Sequence, residues 1–236
     1  SGPIVPDVVL AADIRGTLDK GAEYKLTKDD LAILSSLSAA DRAIKDLTGL
    51  EYAVNLVNLD IRGNNISNLS PLSTLPNLTT LQLQRNQIRD VNALSSLTNL
   101  DKLILYNNQI SNISSLSSLT NLTSLQLGGN NISDISPLSQ LINLESLSLH
   151  DNQISDITPL ASLTNLEYLE LAKNRITDVS PLSSLTSLRS LMMHENSVTN
   201  IGPLSSLTNL TTIWLNHNNI TSINPLSSLT YLTHID

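Results

Sequence analysis

Cysteine and phenylalanine are absent from this 236-residue sequence, and only one tryptophan occurs in it. Without cysteine there is no disulfide framework, and no thiolate to hold zinc or an iron–sulfur cluster. Without phenylalanine, and with aromatics at 3% of residues, any core has to be aliphatic. Positive charge is also scarce. Lys and Arg number 13 against 21 for Asp and Glu, a formal net charge of −8, whereas a nucleic-acid binder needs a basic surface to displace counterions. DNA and RNA are thereby poor partners. No stretch approaches the roughly 18 consecutive apolar residues of a membrane-spanning helix, so no membrane insertion is expected. The opening Ser1-Gly2-Pro3 lacks the charged-then-apolar layout of a signal peptide.

What the chain does contain is a repeat. Leu56, Leu78, Leu100, Leu122, Leu144, Leu166, Leu188, Leu210 and Leu232 follow one another at intervals of 22 residues, with no insertion or deletion. Within one unit Leu78, Leu81, Leu83, Asn86, Ile88, Val91, Leu94 and Leu97 spell the leucine-rich repeat signature. In Leu81-Gln82-Leu83 the alternation puts both leucines on one face of a short strand and Gln82 on the other. One unit cannot stand alone, because ordering its backbone costs roughly 1–2 kcal/mol per residue against about 2 kcal/mol for each buried aliphatic side chain. Stacked units pool their leucines into one core. The spacing therefore predicts an α/β solenoid: a leucine-rich-repeat horseshoe with a parallel concave β-sheet, short convex turns or 3-10 segments, and an N-terminal helical cap.

Asn64, Asn86, Asn108, Asn130, Asn152, Asn174, Asn196 and Asn218 form one column where the chain leaves each strand. An amide both donates and accepts, so a stacked, buried column of asparagines can serve backbone groups of its own coil and of its neighbour. The convex side repeats Ser136-Pro137-Leu138-Ser139 and Thr158-Pro159-Leu160-Ala161, in which proline starts a tight turn. It reads as scaffold, and triplets such as Asn77-Leu78-Thr79 and Asn121-Leu122-Thr123 read as part of the repeat rather than as glycosylation acceptors.

Four segments follow. Residues 1–33 are expected to form the helical cap, with one helix across Asp7 to Asp19 and a second opened by Thr27-Lys28-Asp29-Asp30 and running through Leu34. Leu34 to Asn55 keeps the spacing in degenerate form, with Arg42 in the place of the column asparagine, and reads as a transitional repeat. Residues 56–231 make eight full repeats. Residues 232–236 begin a ninth that stops in mid-strand, which predicts a fragment of a longer protein and an open edge through which copies could self-associate.

The units Ile132 to Leu138 and Ile154 to Leu160, with the recurring Leu-Thr-Asn-Leu and the cap leading into Ile44 to Glu51, resemble the internalin-like leucine-rich repeats of bacterial surface proteins. The resemblance implies secretion or display on a bacterial surface, and adhesion to a host or neighbouring-cell protein through the concave face. The alternatives are an intracellular scaffold or phosphatase-regulator type of leucine-rich-repeat protein, which shares the 22-residue unit, and a structural surface stalk.

In a solenoid the repeated positions build the scaffold and the varied ones build the site. Between the strand leucines lie Asp60, Gln82, Ile104, Gln126, Ser148, Glu170, Met192 and Trp214. Trp214 beside Met192, with Tyr168, Tyr106 and Ile104, predicts an exposed apolar trail suited to anchoring a protein partner. Lys102, Arg85, His150, Glu170, Lys173, His194, Glu195 and His217 are the polar neighbours expected to orient that partner. Asp151, Lys173, Glu195 and His217 alternate in charge, which suggests cross-strand pairing. His150 and His194 stand two coils apart, about 10 Å at the strand spacing, too far to share a metal ion, so neither a metal nor a cofactor is expected. Glu145 and Glu167 read as solubilising edge charges, and Gly128-Gly129 as the opening of a turn. With no nucleophile elbow and no phosphate-cradling loop, the sequence predicts a binding module rather than an enzyme.

Overall fold

A computed structural model describes residues 2–236; Ser1, the first residue of the expected cap and signal-peptide reading, lies outside the described residues. The first helix, α1 (Val8–Thr17), starts where Asp7 accepts hydrogen bonds from the amides of Val9 and Leu10 at 3.0 and 3.1 Å. The other oxygen of Asp7 accepts from the amides of Lys45 and Asp46, tying the helix to the coil behind it. Burial pushes the Asp7 carboxyl up, but the four amide donors outweigh it and hold the group below its ordinary range. The second helix, α2 (Lys28–Ile33), opens on a capping box in which the Thr27 hydroxyl and the Asp30 carboxylate serve each other's backbone amides. Leu10, Ile14 and Leu31 are buried and join the same core as Leu37 and Leu59.

Among the described residues ten short strands follow: β1 (Ser36–Ser38), β2 (Asn58–Asp60), β3 (Thr80–Gln82), β4 (Lys102–Ile104), β5 (Ser124–Gln126), β6 (Ser146–Ser148), β7 (Tyr168–Glu170), β8 (Ser190–Met192), β9 (Thr212–Trp214) and β10 (His234–Ile235). All pair in parallel with their sequence neighbours in a single sheet. Leu59 faces Leu81, Leu81 faces Leu103, and the same offset holds down the array. The strand expected at Leu81-Gln82-Leu83 sits one residue earlier, at Thr80–Gln82, although the Leu83 amide still donates to Ile104 across the sheet at 2.8 Å. Opposite the sheet, 3-10 segments such as Ser136–Gln140 and Thr158–Ser162 carry proline in the first turn and bury one leucine each, Leu138 and Leu160.

The asparagine column bonds both within and between coils. The Asn130 amide nitrogen donates to the carbonyls of Leu105, Leu127 and Gly128, and its oxygen accepts from the amide of Ile110. Asn64 accepts from the amide of Arg42, so the arginine in the column contributes its backbone where its side chain cannot substitute. Six of the eight asparagines are buried; Asn174 and Asn218 are half-buried.

Further ladders run along the flanks. Asn77 donates to Val54, Asn99 to Pro76, Asn121 to Thr98 and Asn143 to Thr120. The hydroxyls of Ser96, Ser118 and Ser206 donate to carbonyls of the preceding coil. The amides in the Asn-x-Thr triplets are thus occupied by backbone bonding, a physical reason for their recurrence. Asp134, Asp156 and Asp178 each accept from the amide two residues on, which lowers their pKa and fixes the entry to the next 3-10 turn.

Candidate functional site on the concave face

Alternation along each strand points one residue column outward, and the parallel register sets its members side by side. Met192 faces Trp214 directly and Glu170 faces Met192. The Trp214 side chain is 39% exposed, and its ring lies 5.6 Å from that of His194 at an interplanar angle of 55°. The Tyr168 hydroxyl lies 3.8 Å from the Met192 sulfur and donates to Glu170 at 3.2 Å. Tyr168, Met192, His194 and Trp214 therefore form one contiguous group across β7 to β9.

The expected trail of exposed apolar side chains is modified in two ways. Trp214 is exposed, but Tyr168, Met192, Ile104 and Tyr106 are half-buried, because side chains on strands about 4.8 Å apart cover one another. The trail is also broken: Ile104 is flanked in register by Gln82 and Gln126, so Ile104 and Tyr106 stand apart from the Trp214 group. Lys102 is exposed beside them on β4.

Between these groups lies a polar network that column reading did not reveal. The Ser148 hydroxyl lies 2.9 Å from His150 Nδ1 and 3.0 Å from Glu170 Oε2, while His150 Nδ1 lies 3.5 Å from the same oxygen. The His150 ring covers Gly128 so closely that a Cβ there would collide with it. Gly128 is therefore needed for that ring position. Hydrogen bonding to Glu170 raises the His150 pKa against the opposing effect of burial, and the charges of Glu170 and Asp151 add to the rise while Lys173 opposes it. Glu170 is lowered, first by its bond with His150, against burial. Burial, helped by Glu170, pushes the Tyr168 phenol up to about 12.

The ion pair accordingly holds from below the ordinary 4.5 of glutamate to above the ordinary 6.5 of histidine. The stability it contributes through His150 is fully present below 6.5 and lost as pH rises through the raised value. Its share through Glu170 is present above 4.5 and lost as pH falls through the lowered value. An NMR titration is expected to place the His150 midpoint above 6.5, and Glu170→Gln should bring it down. A midpoint unmoved by that substitution would break the assignment of Glu170 as the cause.

Serine, histidine and glutamate together invite comparison with a nucleophilic relay, but the geometry differs. A relay places nucleophile and acid on opposite imidazole nitrogens; here Ser148 and Glu170 both converge on Nδ1. The arrangement thus departs from a relay and holds its hydrogen-bonding groups around a single imidazole nitrogen. Among the described residues, no three His, Asp or Glu side chains come together in a way that could hold a metal ion.

The remaining polar candidates occupy the turn just after each strand. Arg85, Asn107, Asp151, Lys173, Glu195 and His217 all adopt left-handed backbone with φ between 53° and 56°, at the position where Gly63 and Gly129 stand in other coils. For L-residues this region costs roughly 1–2 kcal/mol; the turn expected at Gly128-Gly129 is one instance of it, and Gly63 marks the same turn in an earlier coil. Of the expected charge pairs along this row, Lys173 and Glu195 approach to 3.9 Å. Arg85 pairs at 3.2 Å with Asp41 of the first coil. His217 is exposed and shares a shallow depression with Glu195 and Asn196. On the sheet's edge Glu167 pairs with Arg189 at 3.6 Å.

Comparison with known proteins agrees with this architecture. The family described as Leucine Rich repeats (2 copies) matches residues 54–96, 98–140, 121–162, 142–184, 164–207 and 186–228. Among solved structures, internalin C2 of Listeria monocytogenes is 32% identical over 99% of this chain and 94% of that one, with a TM-score of 0.72. The internalin InlF of the same organism is 31% identical over 99% of this chain and 96% of that one, at 0.65. The functional domain of Listeria monocytogenes InlJ, which includes a cysteine ladder, shares the fold at 24% identity over 98% of this chain and 59% of that one, at 0.64. A comparison with curated proteins gives no match. Among the described residues no helix is long and apolar enough to cross a membrane. With the repeat unit, the helical cap and these likenesses together, the chain belongs to the internalin-like leucine-rich-repeat proteins of bacteria.

Proposed function

We propose that this chain is a protein-binding module, secreted or displayed on a bacterial surface, that grips a protein partner with its concave face. The observation that carries the reading is Trp214: the single tryptophan of the chain is exposed on the sheet, backed by half-buried Met192 and Tyr168 and by the His194 ring. A large ring held at the surface by packed neighbours loses little freedom on binding and buries much area, the character of an interface anchor. Lys173 and Glu195 and, further along, Lys102 and Arg85 supply charge along the same face that would set orientation, with the exposed His217 beside Glu195. The internalin likeness supports the extracellular placement.

The test is capture from host-cell surface extract with the parent chain and with a Trp214→Ala variant whose melting is unchanged, followed by affinity measurement on the captured partner. Removing a central aromatic anchor costs about 2–4 kcal/mol, so the Kd is expected to rise roughly 30-fold to 1,000-fold. Equal recovery by both baits would show that Trp214 is not the anchor.

A further inference from the structure

The network around His150 forms one wall of a hollow of about 460 Å³ on the concave face, between β4 and β7. We infer that this hollow is a subsite for one neutral saccharide residue. Its lining has no aliphatic side chain: Tyr106 and Tyr168 stand at its ends, and Gln126, Ser146, Asn107 and Glu170 supply the polar groups between them. Pockets for apolar ligands or anchors are lined mainly by hydrophobic side chains, which this one lacks.

The bonding pattern within the hollow is specific. Glu170 receives Ser148 and Tyr168 on Oε2 and faces His150 there as well, leaving Oε1 outside those contacts. Tyr106, Asn107, Gln126 and Ser146 stand outside the network that fixes Ser148, His150, Tyr168 and Glu170. On the flanks of the same solenoid, by contrast, serines and asparagines are tied into ladders to the preceding coil. The hollow thus offers amides and hydroxyls that both donate and accept, beside a fixed carboxylate that accepts strongly. Vicinal hydroxyls on a sugar ring present the same alternation of donor and acceptor. Its polarised C–H face matches the negative face of a tyrosine ring.

Charge selects a neutral sugar. Glu170 is matched by His150, Asp151 and Lys173 flank them with opposite signs, and the chain as a whole carries −8. An anionic sugar would meet no uncompensated cation in the hollow. The same chemistry could come from a free polysaccharide or from a glycan carried by a protein. The hollow and the Trp214 group meet at Tyr168, but Tyr106, Gln126 and Ser146 line the hollow alone and Trp214 lies outside it, so each site can be removed without the other.

The experiment is saturation-transfer NMR of the whole chain with maltotriose, chitotriose, mannotriose and lactose, with sialyllactose and a heparin tetrasaccharide as anionic probes. A glycoprotein bearing neutral glycans, before and after their enzymatic removal, separates the protein-borne source from the free one. At least one neutral probe is expected to bind, with Tyr106→Ala and Gln126→Ala each weakening it roughly tenfold, the loss expected for one ring contact or hydrogen bond. Trp214→Ala should leave that binding unchanged. Ser146→Ala, a smaller change, serves should Tyr106→Ala fail to fold. The inference is overturned if no neutral probe gives a transfer signal, if only the anionic probes bind, or if the hollow variants bind as the parent does.

Discussion

Asn130→Ala is expected to lower the unfolding free energy by about 3–5 kcal/mol, because several buried backbone groups lose their partner at once. Its nitrogen serves the carbonyls of Leu105, Leu127 and Gly128, and its oxygen serves the amide of Ile110, so the substitution disrupts two coils. At 7% exposure, water does not readily replace the side chain. Each buried polar group left without a partner costs about 1–3 kcal/mol, and relaxation of the turn recovers some of the sum. Asn218 makes the same set of bonds to Val198, Met193, Leu215 and Asn216, but it is half-buried. Water can take its place there, and Asn218→Ala should cost about 1 kcal/mol. Urea unfolding followed by circular dichroism and by Trp214 fluorescence checks both values, two probes being needed because repeat arrays can lose two-state behaviour. If Asn218→Ala proved the more damaging of the two, burial would not be what gives the column its value.

Leu147→Ala should cost about 2–5 kcal/mol, the range for a leucine removed from a filled core. Leu147 is fully buried at the centre of β6, with Leu125 and Leu169 beside it in register. The sharper expectation comes from its counterparts in other coils. Leu37, in the first strand, is 2% exposed because the N-terminal helices pack into the same core, so Leu37→Ala should fall in the same range. Ile235, in the last strand, is 62% exposed, and Ile235→Ala should stay within about 0.5 kcal/mol. One position of the repeat therefore takes its energetic weight from its neighbours, as a nearest-neighbour array requires. Equal losses at Leu147 and Ile235 in urea melts would contradict that.

The fold was legible because its signals are local or strictly periodic. Thr27 and Asp30 announce a helix start three residues apart, and the structure closes both hydrogen bonds of that box. The regular spacing of Leu78, Leu81 and Leu83 determines which side of each coil faces the core. The concave face was legible only in part. Alternation tells which way a side chain leaves the sheet and is silent on how far a neighbour covers it; Tyr168 reaching to Met192 is such a case. Nor does it choose partners. His150 pairs diagonally with Glu170, one coil on and two residues earlier in the repeat, a contact set by rotamers rather than by column. The left-handed turns at Arg85 and Glu195 were hidden for another reason: charged residues there mask a backbone preference that Gly63 and Gly129 disclose.

The unbroken 22-residue register has a consequence at the level of inheritance. Each coil meets the next through the same residue offsets, so Asn86 reaches back to Ile61 as Asn108 reaches back to Leu83. Upper and lower faces of neighbouring units are therefore nearly interchangeable. Unequal recombination between two such stretches of the gene duplicates or deletes one whole unit in frame, and the product closes every asparagine bond again. The breadth of the concave surface can then grow or shrink from one generation to the next without any change to the core that supports it.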